Sequence, residues 1–141
     1  MSDRMKLPEP IAAVVEESVR GVHRRVPGVT GCIAATVDGR LLEHVVDNTA
    51  DPRRMAAMIG SMVALGETIG KEVRIGRSQF VVVHALDGIL LMQRVPSRKE
   101  LLVVATLART TTNLGVVLHE TRRAAGEIGE ALDRWLQSSA A

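Results

Sequence analysis

Apolar residues recur at helical spacing in three stretches of the chain and run nearly continuously in several shorter ones. Ile11, Val14, Val15, Val19, Val22 and Val26 predict a helix over about Pro10 to Arg25, with Glu16 and Glu17 on its polar side. Arg20, His23, Arg24 and Arg25 gather at its end, where cations suit the helix dipole, and Pro27-Gly28 stops it. Gly31 to Val37 and Leu41 to Val46 read as two strands joined by Asp38-Gly39, a pair suited to the positive φ angles of a type I′ turn. A second helix follows from about Pro52 to Ile69, with Asp51 as N-cap and Pro52 as its first residue. Phe80 to Leu86 and Ile89 to Val95 form a second hairpin pattern around Asp87-Gly88, and Leu101 to Thr106 is the last strand. Val73 and Ile75 suggest a short extension at the sheet edge. A final helix spans about Asn113 to Leu136, with Leu114, Val117, Leu118, Thr121, Ala125, Ile128, Leu132 and Trp135 in period. Ala124, Ala125 and Gly126 point to a close approach between this helix and the sheet.

The order α-β-β-α-β-β-β-α describes an α+β domain of three layers: a five-stranded, mostly antiparallel sheet with one helix on one face and two on the other. The third to fifth strands are apolar on both sides, as strands covered on both faces are. Residues 9–137 make a single domain; 1–8 read as a flexible tail and 138–141 as a frayed end.

The second helix is unusual. Met55, Met58, Ile59, Met62, Leu65 and Ile69 form one stripe, which reads as core rather than as an adaptable partner groove. Its other side carries Ala57, Gly60, Ser61, Ala64 and Thr68, with Arg53 and Glu67 as its charges. A solvated helix face normally carries long charged side chains. Small residues permit close approach, so this side reads as packed against something.

Composition narrows the function. The 141 residues hold 18 basic and 16 acidic side chains, one Cys, one Trp, one Phe and no Tyr. A net charge of +2 and two aromatic rings suit neither nucleic-acid binding nor base stacking. No apolar run approaches the roughly 18 residues that span a bilayer. A single thiol without a secretory signal points to a cytoplasmic setting.

Candidate chemistry is sparse. Gly66-Glu67-Thr68-Ile69-Gly70-Lys71 is one residue short of a phosphate loop and ends a helix rather than starting one, so Gly70 reads as a helix stop. Cys32 sits in a strand with no activating His or Asn nearby in sequence. His23, His44, His84 and His119 share no metal-ligand spacing, and His84 reads as an interface position. Thr36, His84 and Gln93 are the polar groups on offer to a small ligand, should the domain be a sensory module. No catalytic residue, metal or cofactor is expected.

The residues Pro27-Gly28-Val29-Thr30-Gly31 leading into a strand, Val37-Asp38-Gly39-Arg40-Leu41-Leu42, the run Phe80 to Val95 with its Asp87-Gly88 turn, Leu101-Leu102-Val103-Val104, and Asn113-Leu114-Gly115 together resemble the roadblock/dynein light chain domain. The likeness spans Pro10 to Leu136 and is strongest to free-standing bacterial members, including Mgl-type polarity regulators. Lys71 to Ser78 make a longer polar link than in shorter members.

The resemblance implies a non-catalytic homodimeric adaptor, its third strands paired across a two-fold axis and its second helices side by side. That helix face would receive a Ras-like small GTPase and modulate its nucleotide cycle. Carried onto this sequence, the implied dimer interface is Ala57, Gly60, Ser61, Ala64, Phe80, Val81, Val82, Val83 and His84; Arg53, Arg54, Ala57 and Ser61 are the implied partner contacts.

Overall fold

The computed structural model describes residues 6–139. Its elements are α1 (Glu9–Arg25), β1 (Val29–Thr36), β2 (Leu41–Val46), α2 (Pro52–Glu72), β3 (Phe80–His84), β4 (Ile89–Arg94), β5 (Leu102–Ala108) and α3 (Leu114–Ser139). Every neighbouring strand pair is antiparallel, in the order β2-β1-β5-β4-β3. The last strand inserts between the two hairpins, which leaves β2 and β3 at the margins.

Two cores flank the sheet, as the two-sided apolar strands predict. On one side Ile11, Val15, Val19 and Val22 of α1 and Val117, Ala125 and Ile128 of α3 pack on Cys32, Leu91 and Val104. Leu7, inside the stretch read as a tail, joins this core, while residues 1–5 lie outside the described residues. On the other side Ala56, Ile59 and Val63 of α2 cover Ile33, Ala35, Met92, Val103 and Ala105. Full burial of each Val or Ile is worth about 1.5–3 kcal/mol, so the two cores account for the architecture.

Local chemistry sets the element ends. The Asp51 carboxylate accepts from the Arg53 amide at 3.0 Å, and Asn113 Oδ1 accepts from the Val116 amide at 3.2 Å. The Asp38-Gly39 turn departs from type I′, because only Gly39 has positive φ, at 94°. Instead Gly39 N donates to Thr36 O, and the Thr36 hydroxyl both accepts from Arg40 N and donates to the Asp38 carboxylate. The register slips between Ala34 and Ala35 to absorb the extra residue. The Asp87-Gly88 turn uses no positive φ.

Several boundaries move for identifiable reasons. Gly70 does not stop α2. It is buried, with its Cα facing the Gly76 carbonyl, and the helix continues to Glu72. Val73 and Ile75 add no strand: the chain reverses there through Arg74 (φ 59°) and Gly76 (φ 94°), with Ile75 N donating to Gly70 O. The α3 helix continues through Ser139, and residues 140–141 lie outside the described residues. Its close approach is made not by Gly126, whose surroundings are open, but by Gly129, which sits on the Pro96 carbonyl.

A Cβ at residue 129 would overlap that backbone oxygen, which no side-chain rotation relieves. Gly129→Ala is therefore expected to destabilise the fold by about 1–3 kcal/mol in urea unfolding. A change within about 0.5 kcal/mol, typical of surface positions, would contradict this contact.

Candidate functional site

The side of α2 turned away from the sheet and the open margin of β3 form one surface. Arg53, Arg54, Ala57, Met58, Ser61, Ala64, Leu65, Thr68 and Ile69 are all exposed. Met58, Leu65 and Ile69 are 54%, 52% and 51% accessible, which corrects the reading of the stripe from Met55 to Ile69 as core. Only its Ile59 is fully buried, with Met55 and Met62 packed at the core's edge; the helix instead buries the row Ala56, Ile59, Gly60 and Val63.

Gly60 leaves the exposed set for a different reason. A Cβ there would lie 2.9 Å from Gly39 N and 3.0 Å from Val37 O, so this glycine admits the chain's own β1–β2 turn. Its smallness serves a contact within the subunit.

The exposed hydroxyls on this surface are already satisfied. Ser61 Oγ donates to Ala57 O at 3.2 Å and Thr68 Oγ1 to Ala64 O at 3.1 Å, one helical turn back. Each thus has its donor satisfied within the helix, which lowers the cost of covering it.

In β3 the side chains alternate. Val81 packs into the α2-side core and Val82 into the α1/α3-side core, while Phe80, Val83 and His84 are exposed. The two margins of the sheet differ in kind. β2 carries the carboxylate of Glu43 in mid-strand, a charge of the kind that keeps edges from pairing; β3 presents Phe-Val-Val-Val before its terminal His84, with no carboxylate, Lys or Arg. The α2 face and the β3 margin meet where Val81 lies under Gly66, a position at which a Cβ would come within 2.9 Å of Val81 Cγ2.

A charged cluster that the sequence reading missed closes one end of this surface. Glu67 lies on the inward flank of α2, its carboxylate 3.4 Å from Arg77 and 3.8 Å from Arg94; Arg77 also pairs with Glu100. Arg122 of α3 donates to Gln79 Oε1 at 3.1 Å and covers the Phe80 ring, its Cζ 5.8 Å from the centroid. Glu67, a carboxylate set among Ala64, Leu65, Thr68 and Ile69, is the signal available in the sequence.

Elsewhere the candidate chemistry does not assemble. The described residues hold no cluster of His, Cys, Asp and Glu suited to a metal, and no helix long and apolar enough to cross a membrane. Thr36 is taken up by its turn, while Gln93 and His84 stand at opposite ends of the β3–β4 ladder. Cys32 is wholly buried, its Sγ 3.9 Å from Thr106 Oγ1, which lies 2.7 Å from Thr121 Oγ1; Thr121 donates to Val117 O. Burial pushes the thiol up to about 12, against a smaller opposing pull from the Thr106 hydrogen bond. It is a packing group within a polar seam between β1, β5 and α3.

This arrangement is a three-layer α+β domain with an apolar edge strand beside an outward-facing apolar helix. The Roadblock/LC7 domain family matches residues 17–106, and the chain belongs to that family. Among curated proteins none matches by sequence. The structure is similar to a Roadblock/LC7 domain protein from Streptomyces avermitilis, at 21% identity and a TM-score of 0.75, covering 83% of this chain and 96% of that one. It is similar also to the gliding protein MglB from Thermus thermophilus (16% identity, TM-score 0.74, 93% and 96% covered). A third likeness is to MglB from Myxococcus xanthus (16% identity, TM-score 0.68, 91% and 95% covered). At these identities the likenesses establish the fold.

The buried thiol carries its own test. Native protein is expected to resist iodoacetamide at about pH 8, whereas protein in guanidinium is alkylated at Cys32. Equal labelling rates in the two states would show the site open to solvent.

Proposed function

We propose that this chain is a non-catalytic homodimeric adaptor that binds a Ras-like small GTPase and modulates its nucleotide cycle in bacterial signalling or polarity, within the cytoplasm. The observation that carries the reading is the continuity of the exposed α2 face with the uncharged margin of β3. An apolar edge left open is an aggregation hazard. A second copy aligned antiparallel through β3 resolves it, because such a contact is isologous and closes on itself. Ala57, Ser61 and Ala64 then face their counterparts along the neighbouring α2, with Phe80, Val81, Val82, Val83 and His84 along the shared strand. A solved MglB of the same fold, described in a tetrameric arrangement (16% identity, TM-score 0.77), supports self-assembly.

On this reading the paired α2 helices make a platform rimmed by Arg53 and Arg54. Arg54 forms no ion pair among the described residues, and Arg53 has only the Asp51 carboxylate at 3.9 Å. Both are available to carboxylates on a docking protein. The adaptor contributes no nucleophile and no base. It acts by binding one nucleotide state of its partner more tightly than the other, which shifts the population toward that state by the difference in affinity.

Two variants test the dimer without disturbing the subunit. Val83→Lys and Ala57→Glu alter residues exposed in the single chain, so stability of the subunit is expected to change by less than about 0.5 kcal/mol. In the dimer each places an unpaired charge in an apolar contact at a cost of several kcal/mol, and sedimentation is expected to show single chains. Folded variants that remain dimeric would contradict the interface.

The partner reading is tested by capture. Immobilised dimer is expected to retain a Ras-like GTPase from the same organism in one of its two states, loaded with a GTP analogue or with GDP. Capture in neither state, with a folded dimer on the resin, would reject it.

A further inference from the structure

The longer link between α2 and β3 is held in an uncommon way. After Ile75 its backbone makes no hydrogen bond to a neighbouring element until β3 begins; the described contacts of residues 77–79 run through side chains. Arg77 reaches Glu67 on α2 and Glu100 on the β4–β5 loop, and Arg94 of β4 joins from the other side of Glu67. Gln79, one residue before the strand, is held by Arg122 of α3. The α2 helix, the β4–β5 loop and α3 thus hold Arg77 and Gln79, which deliver the chain into β3, around a cleft lined by Arg77, Gln79, Gln93, Arg94, Glu100 and Arg122.

Two backbone strains sit in this frame. Arg74 and Glu100 both occupy the left-handed region, at φ 59° and 51°, on the two loops that the Arg77–Glu100 pair joins. A non-glycine residue there costs on the order of 1–3 kcal/mol and persists only where its surroundings hold it. Glu67, with 18% of its side chain accessible, is a carboxylate withdrawn from water, and such a group is retained when flanked by cations. Hydrogen bonding to Arg77 holds the Glu100 carboxyl below the usual carboxylate range and raises the Arg77 guanidinium, so each is charged across the neutral range.

β3 has few other restraints. It pairs only with β4, and beyond that ladder Val81 and Val82 are its anchors to the cores. A strand tied down on one side only must be held in place before a second copy can align with it, or the cost of ordering it weakens association.

We propose that Glu67, Arg77, Arg94 and Glu100 act as a positioning frame that fixes the start of β3 in register for pairing with a second copy of this chain. The inference rests on the homodimer reading and deepens it. These residues need touch nothing across the two-fold contact; they set the strand that does. The Arg77–Glu100 pair that the test removes is largely open to solvent, and ion pairs of that kind contribute little to stability as such, which separates its role from a purely structural one.

The test is the dimer dissociation constant from sedimentation at moderate salt, measured beside thermal unfolding. Arg77→Ala and Glu100→Gln are each expected to weaken the dimer roughly tenfold while the unfolding temperature moves by only a few degrees. The double variant is expected to weaken it no further than Arg77→Ala alone, the non-additivity of one shared interaction. Arg24→Gln, which removes an exposed pair with Glu17 on α1, is expected to leave the constant unchanged. Wild-type dissociation constants in both single variants, or lowered thermal stability with pairing unchanged, would overturn the frame while leaving the homodimer intact. Wild-type protein that sediments as single chains at all concentrations would instead remove the homodimer reading, and this inference with it.

Discussion

A strand at the end of a sheet leaves a row of backbone donors and acceptors without partners, and the side chains along it decide whether another strand is repelled or admitted. The two margins of this sheet answer differently. β2 interrupts its apolar residues with Glu43-His44, between Leu41-Leu42 and Val45-Val46, while β3 offers Phe80-Val81-Val82-Val83 before His84. Beside β3 lies a helix face that has withdrawn its hydroxyls onto its own carbonyls and exposes Met58, Leu65 and Ile69. Together with Phe80 and Val83 these make several exposed large apolar side chains on one side of the molecule. The rest of the architecture serves to present it. Two helices seal one side of the sheet and a single helix the other, and insertion of β5 between the hairpins pushes β3 outward.

Much of this was legible in the sequence, because most elements are set by local pattern. The periods of α1, α2 and α3, the Asp51 cap and both hairpins follow from neighbours a few residues apart. The order of elements places one helix against two across a five-stranded sheet. What failed was the division of α2 into faces. Its apolar stripe is wide enough to be read in two rotations, and the sequence cannot choose between them. Tertiary packing chooses: Gly60 must face Gly39 for the helix to cross the β1–β2 turn, which turns Ala56 and Val63 inward and Met58, Leu65 and Ile69 outward.

The same distinction explains the glycines and the charges. Gly60, Gly70 and Gly129 each admit a backbone segment distant in sequence or across a loop, so the residue type is visible but its reason is not. Glu67, Arg77, Arg94, Glu100 and Arg122 come from α2, the link, β4, a loop and α3, and no local pattern brings them together. On α2 the small residues Ala57, Ser61 and Ala64 read as one side do lie exposed, whereas Gly60 turned inward and Met58, Leu65 and Ile69 outward. The absence of long charged side chains along one side of α2 is a negative signal that survives without knowledge of the fold.

The account depends on β3 being covered by its own copy. Hydrogen–deuterium exchange of the amides from Phe80 to His84, followed across protein concentration, addresses this directly. The account expects protection of this strand at high concentration that falls away on dilution, while the buried strands β1 and β5 stay protected throughout. Exchange along β3 that is rapid and independent of concentration would show the margin open to water and would contradict it.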